Sequence, residues 1–119
     1  MFVRTFGLGV LTSLCLGGAG LAQDAASGEA IRAAIAGNTI RGAMAASGGF
    51  EEFYAPDGRI HGPDYTGEWS VQGDRMCFAY DGNPASCWMV RITGAQVVWV
   101  GSGGDEGTGT IFSGNPKGY

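Results

Sequence analysis

Residues 67–92 read GEWSVQGDRMCFAYDGNPASCWMVRI, and the turns within and just after this stretch decide how the chain is laid out. Gln72-Gly73-Asp74-Arg75 places a two-residue Gly-Asp loop between two extended runs, a type II′ or I′ hairpin signal. The register it sets pairs Val71 with Met76 and Trp69 with Phe78. In the next connection, Asp81-Gly82-Asn83-Pro84-Ala85-Ser86 is turn chemistry throughout, and symmetric pairing across it brings Cys77 opposite Cys87. Directly opposed strand residues hold their Cβ atoms close enough for a disulfide.

Side chains alternate between the two faces of a strand, so the remaining residues sort themselves once Cys77 is assigned. Met76, Phe78 and Tyr80 fall on the face opposite Cys77, and Trp88, Val90 and Ile92 fall with them. A third turn, Thr93-Gly94-Ala95-Gln96, pairs Ile92 with Val97 and adds Val97 and Trp99 to that face. Three turns read independently thus converge on one apolar face: Trp69, Val71, Met76, Phe78, Tyr80, Trp88, Val90, Ile92, Val97 and Trp99. Glu68, Ser70, Arg75, Arg91 and Gln96 form the opposite face, which reads as solvent.

The 119 residues amount to one domain preceded by a leader. Met1 to Arg4 is a short basic start, Phe6 to Leu16 an apolar run too short to span a bilayer, and Gly20-Leu21-Ala22 a small-x-small cleavage site. Residues 1–22 therefore read as a secretory signal peptide, cut after Ala22 or alternatively after Gln23. Cys15 follows Leu14, whereas a lipoprotein site wants a small residue there. Cleavage leaves a single domain, 23–119, whose two cysteines are the pair Cys77 and Cys87, an even count for a periplasmic or secreted protein. Because Arg4 leaves with the leader, six basic residues face eleven acids, a net charge of −5. That balance argues against nucleic acid or an anionic membrane as partner.

Along the rest of the chain, Asp24 to Ala36 is alanine-rich, with Ile31 and Ile35 one turn apart, Ser27 as N-cap and Gly37 as stop, and it predicts one short helix. Asn38 to Ala45 is a weak strand interrupted by Gly42, and Phe50 to Tyr54 and Arg59 to Gly62 flank the turn Pro56-Asp57-Gly58. Gln96 to Val100 is followed by a glycine-rich segment, Gly101 to Gly109, expected as a mobile loop or long hairpin tip, and Thr110 to Ser113 is a last short strand. The expected fold is all-β with one short N-terminal helix, about eight strands in an antiparallel meander that closes into a small barrel. Eight strands enclose just enough room for side chains or one small ligand.

Chemistry-bearing residues are few. His61 is the only histidine, which rules out a His-rich metal cluster, and an enzyme reading would set His61 with carboxylates at the rim of the barrel. No nucleophile elbow accompanies it. Glu51 and Glu52 are adjacent, so they point to opposite faces of a strand, one reading as a solvent residue and the other as an edge charge. Gly101-Ser102-Gly103-Gly104-Asp105-Glu106-Gly107 has no lysine and carries two acids, so it is not a phosphate loop, and its spacing matches no calcium loop. No cofactor is expected. Trp69, Trp88 and Trp99 either fill the barrel or line a ligand pocket.

Gly67-Glu68-Trp69, a G-x-W motif beside a strand, together with a disulfide and a meander, resembles the calycin-type barrels, which include lipocalins and small bacterial enzyme inhibitors. In lipocalins this motif opens the first strand, whereas here it stands mid-chain. A second resemblance runs through Gly37-Asn38-Thr39, Tyr54-Ala55-Pro56-Asp57-Gly58, Gly67-Glu68-Trp69, Gly73-Asp74, Met76-Cys77-Phe78, Cys87-Trp88 and Gly114-Asn115-Pro116. It is to a family of small, exported bacterial proteins of uncharacterised activity, and it covers nearly the whole mature chain. The poverty of general bases and nucleophiles points to an exported, monomeric, non-catalytic binding module. One form of it presents Gly101 to Gly107 to a protein such as a hydrolase it inhibits; the other carries a small apolar or aromatic molecule inside the barrel.

Overall fold

The computed structural model describes residues 24–119, so the leader expected over residues 1–22, Cys15 included, lies outside the described residues. Helix α1 (Gly28–Ile35) begins at Ser27, whose hydroxyl oxygen accepts from the Ala30 N–H at 3.1 Å. It ends where Gly37 takes the left-handed conformation, φ 80°. Ile31 and Ile35 are fully buried, and each contributes about 1.5–3 kcal/mol by leaving water.

Eight strands follow: β1 (Asn38–Met44), β2 (Gly48–Tyr54), β3 (Arg59–His61), β4 (Thr66–Gln72), β5 (Arg75–Ala79), β6 (Ser86–Thr93), β7 (Gln96–Gly101) and β8 (Gly104–Phe112). Each pairs antiparallel with the next, and β8 pairs with β1, so the meander closes into a barrel. The expected registers hold: Trp69 faces Phe78, Cys77 faces Cys87 and Ile92 faces Val97. Gly73 (φ 64°) and Gly94 (φ 59°) occupy the first central position of their two-residue loops, while Asp74 and Ala95 keep negative φ, which makes both turns type II′. Cys77 and Cys87 are joined by a disulfide, their Cα atoms 4.0 Å apart.

Two expectations need correction. Gly42 does not interrupt β1, which runs unbroken because Gly42 is paired on both sides, with Phe50 of β2 and Gly109 of β8; a Cβ there would overlap the carbonyl oxygen of Thr108 on β8. Nor is Gly101 to Gly109 a loop: β8 begins at Gly104 and only Ser102 and Gly103 lie outside the strands. Gly101, Gly107 and Gly109 in it serve close packing rather than mobility; a Cβ on Gly109, for one, would stand 2.6 Å from Ile40 Cγ2 and 3.3 Å from the Trp99 ring.

The helix closes one end of the barrel. Ala26 N–H donates to Val90 C=O at 2.7 Å, and Gly28 N–H donates to the Asp74 carboxylate at 2.8 Å, so the β4–β5 turn caps a helix 46 residues earlier in the chain. Above the helix, Ile31, Ile35, Ile40, Ile60, Trp69, Met76, Val90, Val97 and Trp99 form a continuous core. All ten residues of the expected apolar face belong to this core or pack against it. The outer wall carries Arg41, Glu51, Glu68, Arg75 and Arg91 at positions where a membrane barrel has its apolar band. No helix among the described residues is long and apolar enough to cross a membrane.

Two measurements test this account. Gly42→Ala is expected to lower stability in a denaturant melt by about 1–3 kcal/mol, because backbone cannot yield as a side chain can. Gly49→Ala, whose Cβ would meet nothing closer than 3.7 Å, is expected to leave the midpoint nearly unchanged. Separately, the intact mass of non-reduced protein is expected to be two hydrogens below the reduced mass, and reduction is expected to cost about 2–3 kcal/mol for so short a loop.

Candidate functional site

The barrel is filled at its helix end and hollow at the other. Trp99 divides the two halves: it is fully buried, its indole N–H points to Met76 Sδ at 3.5 Å, and the rings of Phe50 and Phe78 pack edge-on against it at 5.7 and 6.3 Å. Beyond Phe50 and Phe78 lies an open cavity of about 610 Å³, reached between the β1–β2, β3–β4 and β5–β6 connections. Met44, Phe50, Phe78, Tyr65, Tyr80 and Trp88 supply its apolar surface.

Glu52 points into this cavity from β2 and is only 4% exposed. Three phenols converge on its carboxyl group. Tyr54 donates to Oε1 at 2.6 Å, Tyr65 donates to Oε2 at 2.5 Å, and Tyr80 reaches Oε1 at 3.0 Å and Oε2 at 2.9 Å. Both oxygens are thereby engaged, which offsets the several kcal/mol that burying an unpartnered carboxylate would cost. Burial, reinforced by the charge of Glu52, raises all three phenols far above the ordinary tyrosine range, so they remain donors.

Glu51, next along β2, is on the outer wall, where Lys117 Nζ and the Tyr119 hydroxyl reach the same carboxylate oxygen at 2.8 and 2.9 Å. The hydrogen bonds from these two hold its carboxyl below the usual range. The alternation of the two glutamates is as expected, but the edge charge is not: Glu52 is a buried, interior residue.

The tryptophans divide between the two roles open to them. Trp69 is core, its indole N–H donating to Ala55 C=O at 2.8 Å, and Trp99 is core, whereas Trp88 is only partly buried and lines the cavity. The Trp88 indole nitrogen is buried with no hydrogen-bond partner. In the Gly101 to Gly107 segment, Gly101 and Gly104 pair, Ser102 and Gly103 make the tip, and Asp105 meets Arg91 on the outer wall at 2.7 Å. The register shift between Trp99 and Val100 leaves Glu106 as the extra residue, and its side chain lines the cavity. Gly101 makes room for it, since a Cβ there would stand 2.8 Å from Glu106 Cγ and 2.9 Å from the Trp88 ring.

His61 stands beside Phe53 on the outer wall, ring centroids 6.1 Å apart, on the opposite side of the sheet from Glu52. The barrel wall separates it from the carboxylates of the cavity. The Cys77–Cys87 disulfide lies at the base of the β5–β6 connection, whose Tyr80, Asp81, Asn83 and Pro84 form part of the cavity mouth. Among the described residues, no three of His, Cys, Asp and Glu converge on a site that could hold a metal ion.

The Glu52 cluster escapes a reading of the sequence because Tyr65 lies 13 residues and Tyr80 28 residues away. One signal was present: Phe50, Glu52 and Tyr54 alternate, which sets Glu52 on an otherwise aromatic face of its strand. Comparison with family models, with curated proteins and with solved structures finds no match to this chain.

The pH dependence of this cluster is measurable. Below about pH 10 the phenols are protonated in both the folded and the unfolded chain, and their contribution to stability is fully present. Above about pH 10 the unfolded chain releases protons that the folded barrel retains, so stability is expected to fall as pH rises. In a Tyr119→Phe variant, which leaves the three cavity tyrosines alone, ultraviolet titration is expected to show no tyrosinate at about pH 11 while the near-ultraviolet circular dichroism remains native. Normal titration of any cavity tyrosine in the folded protein would contradict the arrangement.

Proposed function

We propose that this chain is an exported, non-catalytic binding protein that holds a small molecule with an apolar or aromatic body in the open half of the barrel. The observation that carries the reading is the cavity itself: about 610 Å³ falls within the range of roughly 300–1,000 Å³ occupied by small-molecule sites. Its make-up fits as well, with aromatic walls and a single buried carboxyl group at which polar contacts converge. The likeness of Gly67-Glu68-Trp69 and the closed meander to calycin-type barrels supports the same reading, because barrels of this strand number hold one small ligand. The disulfide and the leader-like residues 1–22 support export.

A protein-inhibitor role for Gly101 to Gly107 draws less support. That segment is a tight hairpin end in which Asp105 is already paired with Arg91 and Glu106 is turned inward, leaving Ser102 and Gly103 to make any contact. A catalytic role for His61 draws less still, since His61 faces away from the cavity.

The test is binding of N-phenyl-1-naphthylamine, an uncharged aromatic dye that fluoresces in apolar surroundings. The parent protein is expected to bind it with one-to-one stoichiometry. Ser86→Trp, which places a large side chain at the cavity mouth opposite Phe78, is expected to abolish binding with the thermal midpoint retained. A parent that leaves the dye in its aqueous spectrum, or a folded Ser86→Trp protein that binds it as well as the parent does, would overturn the proposal.

A further inference from the structure

The cavity wall has a charge pattern of its own. Three acids line it, Glu52 at its floor and Asp81 and Glu106 nearer the mouth, and among the described residues no Lys, Arg or His does. Neither Asp81 nor Glu106 is in an ion pair among the described residues, although Glu51 and Asp105 on the outer wall are. A concave, aromatic-lined surface with charge of one sign focuses that field inward, where the local dielectric is low.

The rings add to this. Tyr65 and Tyr80 have their centroids 6.0 Å apart, and Phe78 lies 6.5 Å from Tyr80, so three aromatic rings cluster beside Glu52. Because the hydroxyls of Tyr65 and Tyr80 are committed to Glu52, a ligand in the cavity meets ring and carboxylate rather than free O–H donors. Donation of the phenolic proton toward a carboxylate enriches the ring in electrons, which strengthens its attraction for a cation. A bare metal ion does not suit the site: hard cations need several oxygen ligands, and the oxygens of Glu52 are already engaged by phenols.

We infer that the cavity selects an organic cation, a primary amine or quaternary ammonium group on an apolar or aromatic body, with the Tyr65, Tyr80 and Phe78 rings receiving the cationic head in the field of Glu52 and with Glu106 and Asp81 guarding the mouth. The inference rests on the cavity-binding reading and adds the sign of the ligand's charge to it. An anion of the same shape is excluded by repulsion from three carboxylates, and a neutral analogue gains the apolar contacts alone.

Calorimetric titration at neutral pH with phenylbutylamine, phenylbutanol and phenylbutanoate separates the two claims. These probes share one body and differ in the charge of the head. The amine is expected to bind about tenfold more tightly than the alcohol, and the carboxylate most weakly. Glu52→Gln is expected to remove the amine's advantage over the alcohol. Should Glu52→Gln not fold, the Asp81→Asn, Glu106→Gln double variant serves the same end, with the amine's advantage over the alcohol reduced. An alcohol that binds as tightly as the amine overturns the cation preference while leaving the cavity reading intact. Failure of all three probes and of the dye overturns both.

Discussion

The pairing of β8 with β1 is the constraint on which the rest of the structure depends. It closes the sheet on itself, and it obliges the two terminal strands to approach closely enough that side chains cannot be accommodated at several points. Gly42 stands directly opposite Gly109 in this seam. A Cβ on the first would strike the Thr108 carbonyl, and a Cβ on the second would crowd Ile40 and Trp99. Glycines that look like a flexible tract in the sequence are thus what lets a large ring such as Trp99 occupy the middle of a narrow barrel. The same economy of space at Gly101 admits Glu106 beside Trp88 at the mouth.

Closure also creates an inside, and the inside is divided in two by size and polarity. Toward the helix the barrel is packed with Ile, Val, Met and Trp, and α1 seals it with Ile31 and Ile35. Away from the helix no described residue plugs the barrel, and the interior becomes aromatic and acidic. Placing Glu52 there is costly unless its oxygens are hydrogen-bonded, and the fold meets that cost by aiming phenols from β2, from the β3–β4 connection and from the start of the β5–β6 connection at one carboxyl group. The disulfide holds the β5–β6 hairpin on which Tyr80 depends. A stable lower half therefore supports an upper half whose polar group would otherwise weaken the fold.

Much of the fold was legible in residues 67–99, and for a definite reason. Each of the turns there joins strands that are neighbours both in sequence and in space, so Gly73-Asp74 and Gly94-Ala95 set register locally, and the opposition of Cys77 and Cys87 follows from counting. The helix was legible for a similar reason, since Ser27, Ile31, Ile35 and Gly37 act within about three turns of one another. The helix's second cap, Asp74, was not legible, because it comes from a distant turn. Nor was the extent of β8: five glycines in nine residues carry no strand propensity, and only the presence of β7 and β1 on either side makes that backbone extended.

What the sequence by itself determined, then, was the order of the strands, their registers across the short turns, the face of each that turns inward from Trp69 to Trp99, and the disulfide. Tertiary structure alone decided the register in which β8 meets β1, that Glu106 turns into the mouth at a bulge, and that Tyr54, Tyr65 and Tyr80 meet at one carboxyl group. The division follows from the reach of the forces involved. Turn conformations and side-chain alternation act over a few residues and leave a periodic trace in the chain, whereas the meeting of groups 13 and 28 residues apart is set by the curvature of a closed sheet, for which no local pattern stands.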